Sequence, residues 1–472
     1  MLTYKIYAAG RLLETGERLT ISRPYDGQVF AEVSLGTADI LEQAIEYAVA
    51  VSKEFGSLPG FRRSAMLQEI VNGMMLDREL LADLICQEAG KPIRYAIAEV
   101  DRAIQTFRVA SEEARRIPGE YLSLDWTPGG DGKEGWLRYF PIGVVGAISP
   151  FNFPLNLAAH KIAPALAAGC PIILKPASQT PVAILHLAEI ISQVGLPDGA
   201  LSIMPMKRQT GNLLVTDSRI KLLTFTGSPE VGWKMKNDAG QKRVVLELGG
   251  NAGVLMADAD QMEMAVAKCT TGAFAYSGQV CIHVQRIFVL KQLFEEFVKQ
   301  FLERTQRLVA GDPQDPATDI SVMIDENNAV RVENWIREAV ADGAKILAGG
   351  KRKGLFVEPT VITGTNPEMK VFSQEVFGPI VVVEPVTSFQ EGIDLINHSR
   401  FGLQAGVFTN NLEEMNLAFE ELEVGGVVIN DVPSFRVDHM PYGGVKDSGF
   451  GREGVRYAMM DMLEPRLLIK NR

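Results

Sequence analysis

The sequence predicts an α/β protein of two doubly wound parallel-sheet domains with a small β extension, and three observations carry that reading. A chain of 472 residues is too long for one hydrophobic core and long enough for two or three domains. From Ile142 to Gly250, and again after Asn251, short apolar runs alternate with helical stretches, the pattern of a parallel sheet covered on both faces. Outside those series, two polar-apolar alternating segments flank the turn Trp126 to Glu134, which contains Pro128-Gly129-Gly130-Asp131-Gly132 and reads as an exposed hairpin.

Taken in order, the first 35 residues carry short apolar stretches around Lys5-Ile6-Tyr7 and Gln28-Val29-Phe30, broken by Gly10, Gly16 and Pro24-Tyr25-Asp26-Gly27, and read as strands and turns. From Thr37 to about Arg116 the apolar positions recur at helical spacing (Ile40, Ala44, Ile45, Ala48), with Thr37 and Asp39 as candidate N-caps. Strands are then expected at Gly143 to Ile148, Pro171 to Leu174, Leu201 to Met204, Lys221 to Phe225 and Val244 to Leu248. Helices at Leu155 to Ala168 and Val182 to Val194 lie between them, ending at Gly169 and Gly195, where a left-handed cap is cheap. The second series places helices near Asp260 to Ala275, Gln292 to Leu308 and Leu412 to Leu422, and strands near Ile287 to Leu290, Ile380 to Val383 and Gly426 to Ile429.

Composition narrows the function classes. With 46% hydrophobic and 22% charged residues the chain reads as an ordinary globular protein, and no apolar run approaches the roughly 18 residues of a membrane span. Met1 to Gly10 has no apolar core of the signal-peptide kind, so a cytoplasmic location is expected. A net charge of −11 disfavours binding to nucleic acid or to anionic membranes. Cys86, Cys170, Cys269 and Cys281 show no Cys-x-x-Cys spacing, and His160, His186, His283, His398 and His439 are scattered, so neither a disulfide framework nor a metal site is expected.

Cys281, in Gly278-Gln279-Val280-Cys281-Ile282, is a candidate thiol nucleophile, with Glu247 of Leu246-Glu247-Leu248-Gly249-Gly250 as a candidate water-activating base. A packing cysteine is the competing reading. Phe151-Asn152-Phe153-Pro154 offers an amide donor for a developing oxyanion, and Gln374-Glu375-Val376-Phe377-Gly378-Pro379 sets an acid and an aromatic between Gly and Pro punctuation. No turn matches the G-x-G-x-x-G dinucleotide fingerprint. Instead Phe225-Thr226-Gly227-Ser228-Pro229-Glu230 leaves a strand and enters a helix, where a pyrophosphate or a plain Ser N-cap would both fit.

In order and spacing these segments resemble the aldehyde dehydrogenase superfamily, from about residue 20 to the C-terminus. The resemblance implies a dinucleotide-binding domain from residues 1–119 and 140–250, a catalytic domain from 251–454, and an oligomerisation extension from 120–139 and 455–472. It implies catalysis by Cys281, Glu247 and Asn152, and cofactor contacts from Lys175, Ser178, Gly227, Ser228, Glu375 and Phe377. The expected reaction is NAD(P)-dependent oxidation of a small anionic aldehyde to its acid through a thiohemiacetal and a thioester. Family members that prefer NAD usually carry Glu where this chain has Ser178. Its absence, with Lys175 nearby, favours NADP over NAD or dual use.

Among the basic residues, Arg436, His283 and Arg108 are the candidates for holding the substrate, with Arg102 and His439 nearby in sequence. Succinic semialdehyde, lactaldehyde, glyceraldehyde 3-phosphate and small sulfonated or phosphonated aldehydes all fit, the Lys175 to Pro181 string standing nearest to succinate-semialdehyde dehydrogenases. Pro441 to Glu453 is Gly-rich and is read as structural. The Leu463 to Ile469 tail with the hairpin implies a homodimer or homotetramer. Cofactor-free esterase activity at the same cysteine, or a non-catalytic structural or redox-sensing protein on the same fold, is the alternative.

Overall fold

Alternating strand and helix in the computed structural model, which describes residues 1–471, produce two large sheets. The first has eight strands in the order Gly449–Phe450, Arg243–Glu247, Ile220–Thr226, Val144–Ile148, Ile172–Lys175, Leu201–Ile203, Ile6–Ala8, Arg11–Leu13. Its five middle strands are parallel and its outer partners antiparallel. The chain builds from Val144–Ile148 toward one edge, then returns to lay Ile220–Thr226 on the other side of it. A topological switch point therefore lies beyond Ile148 and Thr226, where such sheets open a crevice for ligands.

The second sheet runs Lys345–Ala348, Thr360–Thr363, Ile380–Val386, Arg286–Leu290, Gly253–Met256, Gln404–Phe408, Gly426–Ile429, parallel except at its first pair. A third, antiparallel sheet joins Gly119–Ser123, Lys133–Pro141 and Leu463–Asn471, with Leu463 opposite Pro141 and Asn471 opposite Lys133.

Helices Ala38–Ser57, Gly60–Leu76, Arg78–Ala89 and Ile93–Glu113 fill the expected helical run. Thr37 caps the first, accepting from the Ile40 N–H at 3.4 Å, while Asp39 lies inside the first turn and does not cap. Helix Asn156–Ala168 is buried throughout and ends at left-handed Gly169. Helix Val182–Ile191 stops sooner than its apolar pattern suggests, and Gly195 lies in the turn that follows. Helices Glu326–Ala341 and Phe389–Asn397 and strands Gly253–Met256 and Gln404–Phe408 were not anticipated individually.

The expected domain boundary at 454 does not separate the two sheets. Val445–Lys446 pairs with Phe401–Gly402, while Gly449–Phe450 pairs with Leu246–Glu247 of the first sheet. Helix Val455–Asp461 then buries Val455 and Met459 in the first core. Glycine makes this crossing possible: a Cβ on Gly449 would stand 2.5 Å from the Leu246 carbonyl oxygen.

Candidate active site

The loop that presents Cys281 is held by an unusual backbone. After helix Met262–Phe274, Tyr276, Ser277 and Gly278 all adopt left-handed conformations (φ 50°, 55° and 66°), which Tyr and Ser seldom do. Two hydrogen bonds hold them there: Ser277 Oγ donates to the Ser321 carbonyl at 2.7 Å, and Tyr276 Oη to the Ala89 carbonyl at 3.2 Å. Cys86, Cys170 and Cys269 are buried, whereas Cys281 is only partly covered and lines a cleft of about 610 Å³. Its Sγ lies 3.3 Å from Tyr442 Oη. Burial pushes the thiol up to about 11, and the Tyr442 contact works in the opposite direction.

Asn152 follows strand Val144–Ile148 at the switch point. Its side-chain amide donates to the Gln279 carbonyl at 3.0 Å, which ties it to the loop that presents Cys281. Its own carbonyl accepts from Lys91 Nζ at 2.7 Å. Lys91 is fully buried, ion-paired with Glu99, and lies over the rings of Phe153 and Tyr276. Glu99 in turn accepts from the N–H groups of Leu155 and Asn156 at the start of helix Asn156–Ala168. Burial depresses the Lys91 ammonium, and Glu99 opposes this. Lys91→Met should leave Glu99 buried without its cation and destabilise the protein by about 3 kcal/mol, read as a lower urea midpoint. An unchanged midpoint would show that the backbone donors alone suffice for Glu99.

Glu247 ends strand Arg243–Glu247, its main chain pinned by Gly227 N–H donating to the Glu247 carbonyl at 3.1 Å. Glu247 is 3% exposed, and among the described residues neither carboxyl oxygen has a hydrogen-bond partner. Burial, with Glu453 close by, raises it well above the usual carboxylate range. Glu453 behaves oppositely: burial works against its charge, but Lys161 Nζ at 3.2 Å and Arg436 Nη2 at 3.0 Å hold it near 2. Two neighbouring carboxyl groups are thus pushed apart in acidity, the charged one fixed and the other free to take up a proton.

A dinucleotide fits the remainder of the cleft. Gly227, Ser228 and Pro229 line it at the start of helix Pro229–Asp238, and no side chain caps that helix. Its first N–H groups and the positive end of its dipole are therefore available to a phosphate. Glu375 lines the same cleft, accepting from the Gly250 N–H at 2.9 Å, and burial pushes it up to about 7. Phe377 is left-handed (φ 46°), and its ring meets Phe151 edge-on at 5.8 Å. Lys175 ends strand Ile172–Lys175 outside the cleft lining, depressed by burial, with the Pro176 carbonyl at 3.4 Å its hydrogen-bond partner among the described residues. Ser178 is exposed in the next loop, between Ala177 and Gln179, which both line the cleft.

Among the substrate candidates, Arg436 lies behind the cleft, near Glu247 and Cys281 without lining it, and two others lie apart from those groups. Arg436 is buried, bonded to Glu453 and stacked over Tyr442, yet its Nε–H has no partner. His283 is turned into the interior: its Nε2 donates to the Ile380 carbonyl at 3.0 Å, and burial drives its pKa to about 4. Arg108 contacts Gln105 on its own helix and Met75 on helix Gly60–Leu76, and like Arg436 neither it nor His283 lines the cleft. Arg102 reaches the Arg436 loop instead, bonding Asp438 at 2.8 Å beside His160, and its own Nε–H is unpartnered.

Sequence reasoning passed over Lys161, Glu453, Lys91 and Tyr442. Lys161 had a signal, a cation inside the mostly apolar helix Asn156–Ala168. Lys91 had none.

Comparison with known proteins agrees with this geometry. Residues 13–468 match the model of the aldehyde dehydrogenase family. The chain is 41% identical over 469 residues to a 3-sulfolactaldehyde dehydrogenase of Priestia aryabhattai, covering 99% of this chain and 98% of that protein. It superposes on the crystal structure of aldehyde dehydrogenase 21 from Physcomitrella patens, in complex with the reaction product succinate, with a TM-score of 0.99 and 43% identity, covering 100% of this chain and 98% of that one. For the NADP-dependent glyceraldehyde-3-phosphate dehydrogenase of Bacillus halodurans C-125 complexed with NADP, the TM-score is 0.96 and the identity 34%, with full coverage of both chains.

Proposed function

The chain belongs to the aldehyde dehydrogenase family, and from that premise we propose that it oxidises a small anionic aldehyde to its carboxylic acid through Cys281, with NADP preferred over NAD. The observation that carries the chemistry is the meeting of a cleft-lining thiol, a tethered amide and a buried carboxyl without a partner among the described residues, in one cleft.

The Cys281 thiolate attacks the aldehyde carbon, forming a C–S bond as the carbonyl electron pair moves onto oxygen. Asn152 uses one N–H on Gln279, which fixes the amide, and has a second to offer the oxyanion. A bound nicotinamide supplies the hydride acceptor. Glu375 and Phe377 would hold its ribose and ring, and Gly227 and Ser228 its pyrophosphate. Loss of the carbon-bound hydrogen as hydride, with the oxyanion pair re-forming the carbonyl, would leave a thioester on Cys281. Glu247 takes a proton from water, hydroxide adds to the thioester, and the acid leaves as the C–S bond breaks. A carboxyl raised by burial is, once ionised, a stronger base than an exposed one, which suits it to that step.

The anionic substrate class rests on Arg436 and on the relatives, one named for a sulfonated aldehyde and one holding a dicarboxylate product. Arg436→Lys keeps a cation for Glu453 but loses the planar fork. It should raise KM for the best anionic aldehyde by about tenfold and change little for a neutral aldehyde of equal length. Equal losses on both would assign Arg436 a purely structural role.

NADP preference rests on Ser178 and Lys175. Ser178→Glu should shift the kcat/KM ratio toward NAD, since a carboxylate there bonds free ribose hydroxyls and repels a 2′-phosphate. A ratio that stays put would place Ser178 away from the ribose. A panel of short aldehydes, followed by absorbance of reduced cofactor with NAD and NADP in parallel, tests the whole reading.

Self-association into a dimer or tetramer is supported by strand Leu463–Asn471, where Leu468 and Ile469 are 63% and 56% exposed. The four unpaired cysteines suit a reducing, cytoplasmic location. Among the described residues no helix is long and apolar enough to cross a membrane.

A further inference from the structure

Tyr442 lies in the Gly-rich segment to which motif reading assigned no chemistry, yet its hydroxyl oxygen stands 3.3 Å from Cys281 Sγ. The residue is firmly held. Its main chain exchanges two hydrogen bonds with Glu453, Tyr442 N–H to Glu453 at 3.0 Å and Glu453 N–H to Tyr442 at 2.6 Å, and its side chain packs with Ile282 and Leu403. On one face of the ring lies the Arg436 guanidinium, its carbon 3.7 Å from the ring centroid, well within cation–π range. A cation over a phenol draws electron density from it and makes the O–H a better donor.

The charged and titratable groups around the sulfur are Glu375 and Glu247, which oppose a negative charge there, and Arg436 and the Tyr442 hydroxyl, which favour one. Burial, with Cys281 and Glu247 nearby, keeps the Tyr442 phenol protonated, and Arg436 only partly offsets this. At neutral pH its O–H is therefore intact and able to donate.

The geometry points to Tyr442 as a positioning residue for the nucleophile, its hydroxyl donating to the Cys281 sulfur whenever that sulfur carries negative charge. The bond is needed twice, before attack on the aldehyde and again when the thioester C–S bond breaks and returns the electron pair to sulfur. No bond to Tyr442 is made or broken, and its proton stays on the phenol. A hydrogen bond to the charged form favours that form, and here it offsets part of the cost of holding a thiolate in a buried place. The inference rests on Cys281 being the nucleophile.

The test uses the full-length protein without aldehyde and follows alkylation of Cys281 by iodoacetamide at pH 8, read by peptide mass spectrometry. Tyr442→Phe keeps the ring, the Arg436 stack and the packing but removes the donor. Alkylation should slow about tenfold, equivalent to one pKa unit. Installing 3-fluorotyrosine at position 442, nearly the same in shape but a stronger donor, should make alkylation faster than in the wild type. A Phe variant within about twofold of wild type, or a fluorotyrosine variant no faster than wild type, overturns the proposal, because a residue that only fills space gives one of those results. Labelling reports on the thiol whether or not Cys281 is the nucleophile, and that separate question is answered by the activity of Cys281→Ala.

Discussion

Cys281→Ala is expected to abolish aldehyde oxidation while leaving cofactor binding intact. The substitution removes one sulfur atom from a side chain that lines the cleft and leaves the loop's own supports, at Ser277 and Tyr276, in place. Asn152 keeps its bond to Gln279 and Glu375 its bond to Gly250, so the rest of the cleft retains its shape. Without the thiolate no thiohemiacetal forms, and the loss of rate should be on the order of 10³-fold or more. Titration of NADP binding by fluorescence, alongside a steady-state assay, separates the two effects. More than about a tenth of the wild-type rate in the variant would sink the covalent mechanism.

Glu247→Gln should stall the enzyme after a single hydride transfer. The buried carboxyl has no hydrogen-bond partner and sits near the charged Glu453, so a neutral amide of the same size fits without a folding penalty. It cannot take a proton from water. Acylation of Cys281 would proceed and the thioester would persist, giving a stoichiometric burst of reduced cofactor followed by a steady state slower by about 10²- to 10⁴-fold. Stopped-flow absorbance reads both phases. Loss of the burst as well would show that Glu247 is also required to ionise Cys281.

Parts of the chain whose role is set by neighbours in sequence were legible before the structure. Thr37 as a cap, Gly169 as a helix end and the parallel series from Val144 to Glu247 are local patterns, and the structure reproduces them within a residue or two. The motifs around Asn152, Glu247, Cys281 and Glu375 stood out for a different reason: together, in order and spacing, they resemble the aldehyde dehydrogenase family to which the chain belongs, whereas each alone left a plain structural reading open. What escaped was decided by residues far apart. Glu453 and Lys161 are separated by most of the chain, and nothing in either segment announces that they meet. His283 and Arg108 failed as substrate contacts for the converse reason: proximity to a motif in sequence does not fix which way a side chain turns, and His283 turned to Ile380. Strand Gly253–Met256, four apolar residues buried on both faces, has no alternation to distinguish it from a helix fragment.

The polypeptide crosses from one large sheet to the other near Gly250 and returns near Gly443. Both crossings are packed against the cleft: a Cβ on Gly250 would stand 2.5 Å from the Cys281 carbonyl oxygen, and one on Gly443 would come within 2.8 Å of the Glu247 carboxyl. The two crossings therefore serve as walls as well as connections, and any side chain added at either would press directly on the segments that hold Cys281 and Glu247.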